Sequence, residues 1–306
     1  MIFARRQAGS LLSLGVEVES FFLRSRTSPW ALVKELVRFR RELARFKPAA
    51  VHAHFGTVTA LFASIACGGT PLIITYRGTD LNPAPNGGLR GAIGRIFSQF
   101  AALGALRIVC VSRQLHTRLW WRRDLAIVIP SGVDTAQFHP FDRNEARRRL
   151  GWPPDERVVL FNAGHDARNK RLDLAEAACG QARLVLTDLR LEVLHGDTDP
   201  ELIPVLMNAS DCLLVASDSE GSPTVVQEAL ACGLPIVSVP VGDIAERLRD
   251  VNPSWVVPQE ERALAHAMVE LTRQPLRSNG RTRIGEISLE TIAGQLKSLY
   301  ESVAFH

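Results

Sequence analysis

Short β-branched apolar runs alternate with longer amphipathic helical patterns along most of the chain, and that alternation limits the fold more than any other feature. Strands separated by 10–15-residue helices build βαβ units and therefore parallel sheets. The first series of strand patterns lies at residues 16–23, 50–54, 72–76, 107–111 and 126–129. A second begins at 158–163 and continues at 191–195, 212–216 and 235–239. Between them lie the turn-rich stretch Ser131-Gly-Val-Asp-Thr-Ala-Gln-Phe-His-Pro-Phe-Asp142 and a short basic helix at 144–150 that ends at Gly151 and two prolines. A junction there divides the chain into an amino-terminal domain, 1–140, a second domain, 141–285, and a closing helix at 286–306 that packs back on the first. The fold class is α/β, and 306 residues fit two domains of roughly 100–200 residues each.

No run of 18 apolar residues occurs, so no transmembrane helix is expected. The start, Met1-Ile-Phe-Ala-Arg-Arg, lacks the ordered zones of a secretory signal, which predicts a cytoplasmic protein. The five cysteines are odd in number and have no C-x-x-C spacing, so they read as buried thiols. Residues 1–50 hold ten Lys or Arg against four Glu. A helix at 30–47 there carries Trp30, Val33, Leu36, Val37, Leu43 and Phe46 on one broad side. It reads first as a helix covering a sheet, and second as peripheral contact with the inner face of a membrane. No nucleic-acid partner is indicated.

The stretch Glu220-Gly-Ser-Pro-Thr-Val-Val-Gln-Glu228 follows a buried strand pattern and opens a helix. Ser222 suits an N-cap, Pro223 the first helical position, and Glu228 falls about a turn and a half inside. Ligands of open α/β sheets bind outside the carboxyl ends of the strands, where helix amino termini attract phosphate. Two carboxylates there can accept hydrogen bonds from sugar or ribose hydroxyls. The combination suits a sugar nucleotide.

This stretch resembles the E-x7-E signature of the family-four retaining glycosyltransferases, which have the GT-B fold of two Rossmann-like domains with a deep cleft between them. Tyr76-Arg-Gly-Thr-Asp80, Ile108-Val-Cys-Val-Ser112, Ile129-Pro-Ser-Gly-Val-Asp134 and the closing helix resemble further landmarks in the same order. The resemblance implies a nucleotide-sugar donor in the second domain and a glycan, lipid-linked or small-molecule acceptor in the first. It places Glu220 on the transferred sugar, Glu228 on the ribose, and the backbone of Gly221, Ser222, Pro223 and Thr224 against the donor. Gly164-His-Asp-Ala-Arg-Asn-Lys170 is similar to the family's diphosphate loop: Lys170 matches, His165 stands where an arginine is usual, and Arg168 can compensate. A neutral histidine would clamp phosphate more weakly and with pH dependence.

In the first domain, His52-Ala-His54 precedes Gly56 at a strand end. A metal pair needs further ligands that the spacing does not supply, so a structural or substrate-lining role is expected. Arg77 can neutralise phosphate or form an exposed pair with Asp80; His54, Gly56, Arg77 and Asp80 are the acceptor-side candidates. No metal or cofactor is expected. The glycine-rich stretch Asn86–Gly94 does not follow a strand and argues only weakly for nucleotide binding. Two rival readings are a sugar-nucleotide epimerase of similar fold and a degenerate, non-catalytic nucleotide-binding or partner protein. The resemblance also implies a usual first strand and glycine turn that the residues before 16 do not show.

Overall fold

The computed structural model describes residues 2–83, 88–274 and 276–304. The chain forms two compact units, Met1–Ser131 together with Leu289–His306, and Gly132–Ser288.

The first unit runs α1 (Ile2–Ser13), α2 (Pro29–Phe46), β1 (Val51–His54), α3 (Thr57–Ala66), β2 (Leu72–Tyr76), α4 (Gly88–Leu103), β3 (Arg107–Cys110), α5 (Arg113–Thr117) and β4 (Ala126–Val128). Its four strands pair in parallel in the order β1-β2-β3-β4. The second unit runs α6 (Arg143–Leu150), β5 (Arg157–Gly164), α7 (Ala167–Lys170), α8 (Leu172–Arg183), β6 (Leu189–His195), α9 (Ile203–Ala209), β7 (Cys212–Val215), α10 (Thr224–Ala231), β8 (Ile236–Ser238), α11 (Ile244–Arg247), β9 (Trp255–Val256) and α12 (Glu261–Arg273). Its sheet is also wholly parallel, in the order β6-β5-β7-β8-β9. The last helix, α13 (Leu289–Ala304), belongs to the first unit.

Each sheet is apolar on both faces because helices cover both, as parallel sheets require. In β5, Leu160 enters one core while Val159, Phe161 and Ala163 enter the other, following the strand period of two. In the first unit, Leu72, Ile74 and Tyr76 face one core, and Ile73 with Val109 packs on Leu296 and Ile292 of α13. All five cysteines are buried and free.

Two expectations are corrected. Residues 16–23 form no strand and run as irregular chain, because no strand lies beside them to complete a ladder. The covered side of the 30–47 helix is narrower than its composition suggests. Glu35 and Phe39 are its buried residues, while Trp30, Val33 and Val37 stand in water. In the glycine-rich stretch, Asn86 and Gly87 lie outside the described residues, and Gly88–Gly94 opens α4.

Candidate active site

In the second unit the chain passes from β5 to β6 on one side, then returns to place β7 on the other side of β5. That reversal is a topological switch point, and the loops leaving β5 and β7 meet there. The β5 loop begins at Gly164, whose φ of +53° turns the chain out of the strand at a register shift against β6. Asp166 caps α7 by accepting from the Asn169 N–H. Asn169 then ties the two loops together: its Nδ2 donates to the Ser219 carbonyl at 3.0 Å, and its carbonyl accepts from the Asp218 N–H at 2.9 Å. The next residue, Lys170, reaches Glu220 with Nζ 2.5 Å from Oε1. Residues 50 positions apart thus form one half-buried ion pair at the switch point. Sequence reasoning selected both ends of that pair but not Asn169, which holds the loops in place.

Beyond Glu220 the loop enters α10 differently from expectation. The helix starts at Thr224 with Pro223 in the cap position, and no side chain caps it. Ser222 is not the N-cap, because a tertiary partner outcompetes the local one. Its hydroxyl donates to Asp243 Oδ2 at 2.8 Å and accepts from Gln227 Nε2 at 3.0 Å. Arg247 Nε donates to the same Asp243 oxygen at 2.6 Å. Burial raises the pKa of Asp243, while Arg247 and the Ser222 hydroxyl oppose the rise. The neighbouring Gly242 has φ +61°, and a Cβ built on it would lie 2.9 Å from the Gly221 carbonyl oxygen. Gly221, Ser222 and Pro223 are therefore buried and fixed, with Thr224 exposed at the helix start and Glu228 half-buried in its second turn. His165 and Arg168 are exposed on the β5 loop. The His165 ring lies over Gly196, where any side chain would collide with it, since a Cβ there falls 1.9 Å from Nδ1.

The first-unit candidates gather at the carboxyl ends of β1 and β2. His52 and His54 stack with ring centroids 4.3 Å apart. Both ring nitrogens of His52 are engaged, Nδ1 with the Tyr300 hydroxyl and Nε2 with Thr75 Oγ1, each at 2.6 Å. His54 Nδ1 accepts from Arg77 Nη2 at 3.2 Å. Among the described residues no group of three or more His, Cys, Asp or Glu side chains is placed to hold a metal ion. Burial drives the His52 pKa well down and that of His54 to about 3, with Arg77 adding to both shifts. Arg77 is not the exposed partner of Asp80. Its guanidinium turns inward to Ser131 Oγ at 3.1 Å and Gln7 Oε1 at 3.2 Å, and burial lowers its pKa to about 10. Asp80 instead accepts from the backbone N–H groups of Gly56, Arg77 and Gly78 at 2.8–3.1 Å, so it organises two turns. Gly56 leaves no room for a side chain: a Cβ would fall 2.4 Å from Ser98 Oγ. Its neighbours Phe55 and Thr57 have φ of 90° and 55°, local strain that the Asp80 and Ser98 hydrogen bonds hold. Tyr300 and Ser131 had no signal in the local sequence.

Against known proteins, residues 1–137 match the profile of Glycosyltransferase Family 4, and residues 154–274 match that of Glycosyl transferases group 1. The chain is 26% identical over 279 residues to TuaC of Bacillus subtilis, a provisionally assigned teichuronic acid biosynthesis glycosyltransferase, covering 85% of this chain and 69% of that one. It is 29% identical over 199 residues to the D-inositol 3-phosphate glycosyltransferase of Acidothermus cellulolyticus, covering 51% of this chain and 44% of the relative, less than half its length. Among solved structures, sucrose-phosphate synthase from Thermosynechococcus elongatus superposes with a TM-score of 0.81 at 20% identity, over 99% of this chain and 92% of that one. HepE of Anabaena in complex with UDP superposes with a TM-score of 0.68 at 19% identity, over 95% and 88%.

Proposed function

Because the chain belongs to the family-four-like GT-B glycosyltransferases, we propose that it moves a sugar from a nucleotide-sugar donor to a glycan, lipid-linked or small-molecule acceptor with retention of configuration. Cell-envelope or polysaccharide biosynthesis is the proposed setting. The observation that carries this reading is the Lys170–Glu220 pair at the switch point, beside the uncapped first turn of α10. A cation and backbone N–H groups suit a diphosphate, and carboxylates beside them suit sugar hydroxyls. HepE, a structural neighbour, has been solved with UDP and with UDP-glucose.

In the proposed reaction the bond between the anomeric carbon and the diphosphate oxygen breaks. The acceptor oxygen attacks the same face, and its proton passes to the departing phosphate. Lys170 and the first-turn amides take the charge that develops on the leaving group, so no step is assigned to a metal. Glu220 orients the sugar and holds Lys170 in place, while Glu228 accepts from the ribose. Replacing Lys170 with Met should lower acceptor-dependent release of nucleoside diphosphate by roughly a hundredfold or more. Glu228→Ala should weaken donor affinity by calorimetry. Unchanged turnover and unchanged affinity would remove these residues from the site, and isomerisation of the donor without an acceptor would point to an epimerase.

No helix among the described residues is long and apolar enough to cross a membrane. Peripheral contact rests on α2, where exposed Trp30, Val33 and Val37 lie beside exposed Lys34 and Arg41. Co-sedimentation with anionic vesicles should fall for Trp30→Ser; equal binding by the variant would remove this face from the reading.

A further inference from the structure

Lys170 is flanked on both sides by residues that grip the loop carrying Glu220. Asn169 holds the Asp218 N–H and the Ser219 carbonyl from one side. On the other, Arg171 ends α7 and opens α8 with φ 60° and ψ 53°, in the left-handed region. A residue with a Cβ is strained there, and such a turn favours glycine. Strain of this kind persists where surrounding contacts over-determine the residue, and it gathers at functional sites.

Every guanidinium nitrogen of Arg171 is engaged by a carboxylate. Nε and Nη2 donate to the two oxygens of Asp173, each at 2.9 Å, a fork that fixes the plane of the group. The remaining nitrogen, Nη1, is thereby aimed at the half-buried Asp218 and donates to its Oδ1 at 3.3 Å. The same oxygen accepts from Gln259 Nε2 at 2.8 Å, and that nitrogen also donates to the Ala216 carbonyl at the end of β7, at 3.0 Å. Asp218 is thus held at its main chain by Asn169 and at its carboxylate by Arg171 and Gln259, two residues before Glu220.

We propose that Arg171 is a positioning residue of the diphosphate site, which acts through Asp218 to fix the spacing of the loops after β5 and β7 and so the meeting point of Lys170 and Glu220. The inference rests on the reading of Lys170 as a diphosphate ligand, and it goes beyond that reading in assigning the strained arginine and Asp218. A lysine is a point charge on a flexible stem, so its place is set by the backbone beneath it and the partner ahead of it. Arg171 fixes both, while its own nitrogens are spent on Asp173 and Asp218 and not on phosphate.

The test is a double-mutant cycle in the full chain, read by calorimetry with UDP, and with ADP, GDP, CDP and dTDP where UDP does not bind. Arg171→Gly suits the left-handed turn and removes the strut, and partly exposed ion pairs contribute little, so the midpoint of urea unfolding should hold or rise. Affinity for the nucleoside diphosphate should nonetheless fall roughly three- to tenfold, as it should for Asp218→Ala. Amide hydrogen exchange at Asp218 should quicken in Arg171→Gly while the strands of the second unit keep their protection. In a Lys170→Met chain, adding Arg171→Gly should leave affinity the same within about twofold, because a residue that acts through Lys170 has nothing left to place. A loss that adds in full to that of Lys170→Met would make Arg171 an independent phosphate ligand. A lower urea midpoint would make it a structural residue only, and unchanged affinity in Arg171→Gly alone would show that the loops keep their spacing without it. Each of these overturns the proposal and leaves the site reading intact. If Lys170→Met itself binds as the parent does, or no nucleoside diphosphate binds the parent, the site reading fails first and the inference falls with it.

Discussion

At the scale of single residues, burial decides what the polar groups of the first unit can do. His54 sits with its Nδ1 against the Arg77 guanidinium, so a proton there would add charge to charge where burial already disfavours it. Its folded pKa of about 3 lies below the ordinary value of 6.5. Between those two values the unfolded chain takes up a proton that the folded chain refuses. Stability is therefore lost as pH falls from 6.5 towards 3, by about 1.4 kcal/mol per pH unit for a group this buried. His52 acts in the same direction, whereas Asp80, whose pKa burial raises, acts in the opposite one. A difference measurement isolates His54. In urea unfolding at pH 7 and pH 5, His54→Gln, which keeps an acceptor for Arg77, should lose less stability than the parent chain. Parallel losses would show that His54 titrates normally. The same network bears on the two readings of Arg77: its spacing to Asp80 in Tyr76-Arg-Gly-Thr-Asp80 left an exposed pair open, but the three N–H groups bound by the carboxylate are visible only in the folded turn.

At the scale of elements, the loop before α10 is shaped by a neighbour 21 residues ahead of it in the chain. The rule that Ser before Pro caps a helix is local, and here it lost to Asp243, which captures the hydroxyl from another loop. Gly242 lets that loop press on Gly221, and this contact can be tested against a matched control. Gly242→Ala and Gly151→Ala both place alanine at positive φ, +61° and +68°, and both should cost about 1 kcal/mol of stability. A Cβ at Gly151 meets nothing within 4 Å, whereas one at Gly242 meets the Gly221 and Glu220 backbone. Donor affinity by calorimetry should therefore fall for Gly242→Ala and stay constant for Gly151→Ala; equal affinities would show that the loop yields freely. Most elements of both sheets were legible, because two-faced apolar runs have few alternatives. β9, only Trp255–Val256, was too short to give a period. The strand expected at residues 16–23 failed for the opposite reason: its period is clear, but a ladder needs a neighbour that periodicity cannot report.

At the scale of the whole molecule, the two units depend on the chain differently. The second is continuous, Gly132–Ser288, and contains two cores of its own, one on each face of its sheet. The first is completed by a segment that arrives last, because α13 buries Ile292, Leu296, Leu299 and Val303 against Leu11, Ile73, Val109 and Ile129. Tyr300 on the same helix bonds His52 across 248 positions of sequence, a contact that no local pattern could announce. Burying four such side chains contributes roughly 6–12 kcal/mol, which is comparable with the entire stability of a domain, about 5–15 kcal/mol. A chain ending at Ser288 should therefore lose the first unit's unfolding transition in calorimetry and keep the second's. It should still bind nucleoside diphosphate, because Lys170, Glu220, Ser222, Glu228 and Asp243 all lie in the unit that remains, but acceptor-dependent transfer should vanish. Loss of nucleotide binding on removal of α13 would show that the donor site cannot stand on the second unit alone, and retained transfer would show that the acceptor side does not need the helix.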